Sequence, residues 1–255
     1  MNPLKTNGLI LRTADSKNSS QVLTVLTPDL GKIHVWARGV RSHKNPMHAG
    51  AGLFCYSELV LLPRPGMYTL TGCTLLHSYY YLREDVERLS YAIYFAELAG
   101  IVIKEGMEAD APLRLLLNCL HYLEKGKKDP ADLKMLYELR LLSLIGLRPH
   151  TKNCIRCGSK EIVAFSVADG GTLCAACGGT PLSRADLAVL QGYVEGGLRA
   201  ALEFKGERQV PILAPLAEEF VRYHIETEPK SLEYLNRIRN IVNKNGHAGA
   251  VAPKK

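Results

Sequence analysis

The hydrophobic period of this chain changes once, near Leu82, and that change constrains the fold more than any other feature. Before it, apolar and polar residues alternate in short runs with the two-residue period of strands. Gly8–Thr13, Val22–Thr27, Lys32–Val40, Leu53–Leu62 and Tyr68–Ser78 read this way. Turn formers separate them, among them Asp15–Ser20, Pro28-Asp29-Leu30-Gly31 and Pro63-Arg64-Pro65-Gly66. Five strands in residues 1–81 suit an OB-fold barrel, although an SH3-like barrel has the same periodicity. After Leu82 the apolar residues recur at three- and four-residue steps. Helices are expected over Asp85–Ile103, Ala111–Leu123, Pro130–Gly146, from Ser183 onward, and over Ile212–Thr227 and Ser231–Asn243. Asp129 before Pro130 is an N-cap, and Ser183 with Asp186 has the spacing of a capping box.

The predicted fold class is multi-domain α+β. An N-terminal five-stranded OB-fold β-barrel (1–81) precedes a helical domain in two parts, 82–149 and 183–245. Between those parts, residues 150–182 form an inserted zinc-finger-like subdomain with four cysteines. Residues 246–255 have no periodicity and read as a disordered tail.

The insert carries the strongest single motif, Cys154-x2-Cys157 and Cys174-x2-Cys177 with sixteen residues between the pairs. Two thiolate pairs on tight turns can close a tetrahedron around one structural zinc ion. Gly158 and Gly178 follow the second cysteine of each pair, where the chain must bend back. A redox dithiol is the competing reading. Four sulfur ligands leave no open coordination position, so the metal stabilises rather than catalyses. Cys55, Cys73 and Cys119 lie among apolar neighbours and read as buried thiols. An odd cysteine count, no leader-like start and no apolar run of ~18 residues lead us to expect neither secretion nor a membrane.

Charge points to the partner. The chain holds 32 Lys+Arg against 25 Asp+Glu, and the excess is concentrated at the start. Residues 1–80 contain eight basic and only three acidic side chains, and no acid lies between Leu30 and Ser57. Alternation along the third strand puts Ile33, Val35 and Ala37 inside and Lys32, His34, Trp36 and Arg38 outside. Cations interleaved with flat rings are what a single-stranded nucleic acid needs, for phosphates and bases respectively. Lys17 on the first loop, Arg41, His43 and Lys44 after the third strand, and Arg64 on the last turn continue the charge. A solvated basic face, with Trp36 covered by the helical region, is the alternative.

Other signals are weaker. His224-Ile225-Glu226 matches the H-x-E of zinc deaminases but follows both cysteine pairs, the wrong order for that chemistry. No phosphate-binding Gly loop or nucleophile elbow occurs, so no enzyme is expected. Arg140 among leucines is a candidate to receive an acidic, apolar peptide tail, or a snorkelling surface residue. Tyr79-Tyr80-Tyr81 is a candidate stacking platform, with packing at the junction of barrel and helices the preferred reading.

Together these strings resemble the RecO family of bacterial recombination mediators. The resemblance rests on Gly8-Leu9-Ile10-Leu11, Leu26-Thr27-Pro28 with Gly31-Lys32, and Ala37-Arg38-Gly39-Val40-Arg41-Ser42. It continues in Leu82-Arg83-Glu84-Asp85, Phe95-Ala96-Glu97-Leu98, Tyr137-Glu138-Leu139-Arg140-Leu141-Leu142 and the cysteine pairs, over roughly residues 5–240. It implies binding of single- and double-stranded DNA and annealing of complementary strands. It also implies work with RecR to help RecA replace single-strand-binding protein (SSB), whose C-terminal tail the helical domain recognises. A cytoplasmic place, at the nucleoid during repair, is implied too. The runner-up is a non-catalytic OB-fold/zinc adapter that binds RNA or protein.

Overall fold

The computed structural model describes residues 2–204, 211–225 and 227–248, with the backbone alone for 243–248. Five strands form a closed barrel: β1 (Leu4–Asp15), β2 (Gln21–Thr27), β3 (Gly31–Ala37), β4 (Cys55–Arg64) and β5 (Met67–Ser78), in the order β1-β2-β3-β5-β4. β1 closes on β4, and the β3–β5 contact is parallel while the others are antiparallel. This is the OB-fold arrangement that the five-strand pattern predicts. The core comes from the inward set of each strand, including Ile10, Leu23, Val25, Ile33, Val35, Leu59 and Leu61. Each such side chain contributes about 1.5–3 kcal/mol when removed from water.

A 3₁₀ segment, Tyr80–Glu84, links the barrel to α1 (Val86–Val102). Asp85 caps α1 by accepting from the Glu87 and Arg88 amides. α2 (Asp110–Lys125) follows, and the loop between α1 and α2 is bound to the barrel by backbone hydrogen bonds. Gly106 N donates to Leu30 O and Ala109 N to Pro28 O. Gly31 permits this approach: its φ is +67°, and a Cβ there would lie 2.2 Å from the Lys104 carbonyl oxygen.

The predicted caps are present further on. Asp129 accepts from Ala131 N and Asp132 N at the start of α3 (Pro130–Leu144), and Ser183 with Asp186 forms the capping box of α4 (Arg184–Glu195). The cysteine insert carries three short strands, β6 (Ala164–Ser166), β7 (Gly171–Leu173) and β8 (Thr180–Pro181). α5 (Leu198–Glu203), α6 (Leu213–His224) and α7 (Lys230–Ala248) complete the chain.

Two features depart from the sequence reading. α5 is too short to show a helical period, at six residues. α7 continues through Gly246 to Ala248, where a disordered tail is expected; residues 249–255 lie outside the described residues. The chain also divides by compactness into 1–125 with 229–255, and 126–228. In the first unit, Glu97 of α1 accepts from the Lys230 and Ser231 amides, holding α7 beside α1 across a long stretch of sequence. No helix among the described residues is long and apolar enough to cross a membrane.

Candidate nucleic-acid interface and metal centre

Burial alternates along β3 as expected, with Ile33, Val35 and Ala37 inside and Lys32, His34 and Trp36 turned outward. The outward side chains do not share one environment. Lys32 donates through Nζ to the Gly100 carbonyl, where its charge sits at the negative end of α1. Burial, and then the neighbouring Lys104, lower its pKa. Lys32 and His34 line, with Arg12, Glu97 and Lys230, a cleft of about 630 Å³ between the barrel wall and α1.

Arg38 lies six residues further on, roughly 20 Å at the rise of a strand. Here the structure gathers most of the predicted cations. Trp36 is half-buried and pairs with Val22 on one side and Thr69 on the other. Tyr68 pairs with both Val35 and Pro63, and because β5 runs parallel to β3 the exposed Arg64 turn, which precedes Tyr68, lies on the His34 side of Trp36, away from Arg38. The β1–β2 loop with exposed Lys17 joins the Arg38 end, because Arg41 N donates to Ser19 O at 3.0 Å and Gly39 N to Ser20 Oγ at 3.1 Å.

The loop after β3 has its own framework. The Asn45 amide donates to Arg38 O at 3.1 Å and accepts from Met47 N at 2.9 Å, and His48 Nδ1 lies 2.8 Å from Val40 O. Val40 and Ala51 anchor the loop in the barrel core. Arg38, Arg41 and Lys44 therefore leave a folded loop as exposed side chains. Sequence reasoning missed Asp15, whose Oδ2 sits 2.6 Å from Arg41 Nη1. The Gln21 hydrogen bond and then the Arg41 charge hold its pKa low against desolvation.

Tyr79, Tyr80 and Tyr81 separate. Tyr79 packs at the barrel–helix junction as expected, donating its hydroxyl to Leu117 O at 3.0 Å, and burial raises its pKa. Tyr80 and Tyr81 are 57% and 61% exposed, contrary to the packing expectation. A 3₁₀ turn of three residues puts Tyr79 and Leu82 on the inner side and leaves the two residues between them outside.

The four paired cysteines converge. Their sulfur atoms lie within 4.8 Å of one another, with Cys157 and Cys174 at 3.5 Å. Zinc at about 2.3 Å from four sulfurs places those sulfurs about 3.8 Å apart, so the donor set fits a tetrahedral ion. Gly158 and Gly178 take φ of +77° and +78°, the turn each pair needs. Arg156 clasps the two halves, binding Asp169 at 2.7 Å and the Cys177 carbonyl at 2.9 Å. Burial pushes the Cys154 thiol up, but hydrogen bonds from the backbone of Cys174, Cys157 and Arg156 bring it down to about 6. Cys177 is pushed up to about 12 by hydrogen bonding with Cys154 and Cys174. Among the described residues no other cluster of three or more such ligands occurs. Of the remaining cysteines, Cys55 and Cys119 are buried and Cys73 is half-buried.

Two other candidates have structural partners. Arg140 donates through Nη1 to Tyr193 O at 2.9 Å and Gly196 O at 2.7 Å, covering the last carbonyls of α4. His224 places Nε2 2.9 Å from Val167 O and its ring against Phe220; Glu226 lies outside the described residues.

Comparison with known proteins agrees with this architecture. The family model described as Recombination protein O N terminal matches residues 1–79, and Recombination protein O C terminal matches 83–233. A DNA repair protein RecO of Acetivibrio thermocellus is 30% identical, over 94% of this chain and 99% of its own length. One from Symbiobacterium thermophilum is 30% identical over 92% and 97%, and one from Alkaliphilus metalliredigens 35% identical over 69% and 72%. A closed five-stranded barrel, a helical remainder with a four-cysteine cluster and family matches over most of its length place this chain in the RecO family of DNA repair proteins.

Proposed function

We propose that the protein is a recombination mediator without bond-making chemistry of its own. It binds single- and double-stranded DNA, anneals complementary strands and acts with RecR to help RecA replace SSB on single strands. The support for this reading is that the β1–β2 loop with Lys17 is hydrogen-bonded to the loop after β3, so that Lys17, Arg38, Arg41 and Lys44 leave the barrel on one side of Trp36, with the Arg64 turn on its other side.

The chemistry is electrostatic. Phosphates resist the approach of two strands, and cations on a fixed frame neutralise them while releasing condensed counterions. A half-buried indole between the loops offers a face for a base. Holding one strand there raises the local concentration of a second. Cys154, Cys157, Cys174 and Cys177 hold one zinc ion, which contributes folding energy to the insert. The helical part takes the acidic, apolar tail of SSB, and Arg140 contributes there as a fixed positive charge.

The test is the affinity for a labelled single-stranded DNA oligonucleotide across a salt series. Five engaged cations give a slope of about −3 to −4 in log K against log salt. Arg41→Gln with Lys44→Gln removes about 1.4 of that slope, at about 0.7 per cation. An unchanged slope removes the loop from the interface, and preferential binding of RNA over DNA of the same sequence favours the adapter reading.

A further inference from the structure

The cationic end of the barrel does not stop at the loop after β3. Beside that loop is a second cavity of about 230 Å³, which shares Thr13 and Leu53 with the cleft under α1. Thr13, Gln21, Arg41, His48 and Arg83 contribute its polar lining. Two guanidinium groups, an imidazole and two uncharged donors around a small space have the chemistry of a phosphate seat, in which a phosphate takes over from the Asp15 carboxylate that now holds Arg41 and Gln21. Arg41 belongs to the proposed DNA surface, whereas Arg83 belongs to the 3₁₀ segment Tyr80–Glu84. The cavity therefore joins the two.

The residues just before Arg83 present the exposed rings. Tyr80 and Tyr81 are more than half exposed, their centroids 6.1 Å apart. Arg83 places its guanidinium carbon 5.6 Å from the Tyr80 ring centre and donates to Leu53 O at 3.2 Å. One residue thus supports an aromatic face and contributes a positive charge to the adjacent cavity. Rings beside a cationic cavity match an alternation of bases and phosphates better than an apolar partner.

We infer that single-stranded DNA leaves the barrel across this segment, with a backbone phosphate in the cavity between Arg41 and Arg83 and the adjoining bases against Tyr80 and Tyr81. This rests on the proposed DNA-binding reading of the barrel and extends its footprint to residues outside the OB fold. It gives the tyrosines a role that packing does not, since both are more than half exposed.

The test compares two lengths of single-stranded DNA in the full chain, on the order of 4 and of 16 nucleotides, the span of site sizes for one OB fold. Tyr80→Ala with Tyr81→Ala should weaken the longer oligonucleotide at least fivefold. It should leave quenching of Trp36 by the shorter one intact. Tyr80→Phe with Tyr81→Phe should restore the longer affinity, because the rings return. Arg83→Gln should reduce the salt slope by about 0.7 on the longer strand only. Unchanged affinity in the Ala variant and an unchanged slope in the Gln variant, with the Arg41/Lys44 effect intact, would overturn this path and leave the barrel reading standing. If the Arg41/Lys44 variant is also without effect, both fall together. A loss common to the Ala and Phe variants, accompanied by a lower melting temperature, assigns the tyrosines to folding and overturns the stacking role.

Discussion

Arg41 Nη1 lies 2.6 Å from Asp15 Oδ2, so one of the cations proposed to meet DNA already holds an acid of the β1–β2 loop. Both groups are exposed, and the pair is screened by solvent. A strand that binds Arg41 competes with this carboxylate and meets its repulsion.

Asp15→Asn should therefore strengthen single-stranded DNA binding several-fold at low salt and steepen the salt slope by up to about 0.7. Melting temperature should change little, because an exposed pair contributes little to folding. A weaker complex would show that the carboxylate orients Arg41 for DNA rather than opposing it.

A second ion pair has the opposite character. Lys134 lies 2.7 Å from Glu138, one turn on in α3, and 3.1 Å from Glu218 in α6. The Lys134 and Glu138 side chains are 4% and 0% exposed. Lys134→Ala leaves a buried carboxylate without its compensating charge and should cost about 3–5 kcal/mol in chemical denaturation. Replacing both, Lys134→Met with Glu138→Leu, should cost less than the single change. Equal losses would mean that packing, not charge, dominates this contact.

This pair also marks where the sequence stops being legible. Lys134 and Glu138 have the spacing of an exposed helix-surface pair, and nothing local distinguishes them from Arg199 and Glu203, which are exposed. Burial is set by what packs on the helix, a tertiary property. The same reason explains Lys32: strand alternation puts it outside the barrel, but the Gly100 carbonyl that it reaches is 68 residues away. Local grammar is readable instead. The Asp129 cap, the Ser183–Asp186 box, the alternation of β3 and the two cysteine turns each depend on neighbours in sequence. The meeting of the Lys17 and Arg41 loops, with the Arg64 turn on the other side of Trp36, follows from strand order and register. It is legible only once five strands are assigned to an OB-fold order.

The cysteine cluster predicts one zinc per chain. Cys174→Ser should abolish the stoichiometric metal and increase hydrogen exchange across 150–182, since metal binding at such a site contributes to folding. DNA affinity should change far less, because the proposed interface lies on the barrel. Elemental analysis of protein purified without added metal or chelator checks this, and a repeatable absence of zinc would contradict it.

The most direct measurement of DNA binding by the barrel uses Trp36, the single tryptophan in the chain. It is half-buried on the outer face of β3, beside the strand end that carries Arg38 and opposite Thr69 of β5. Its fluorescence during titration with short single-stranded DNA should be quenched, and added salt should restore it as the complex dissociates. Trp36→Phe should retain most of the affinity, while Trp36→Ala should lose about 1–3 kcal/mol of binding with a modest change in melting temperature. An unquenched indole, together with an Ala variant that melts far lower yet binds DNA with unaltered affinity per folded molecule, would contradict the account.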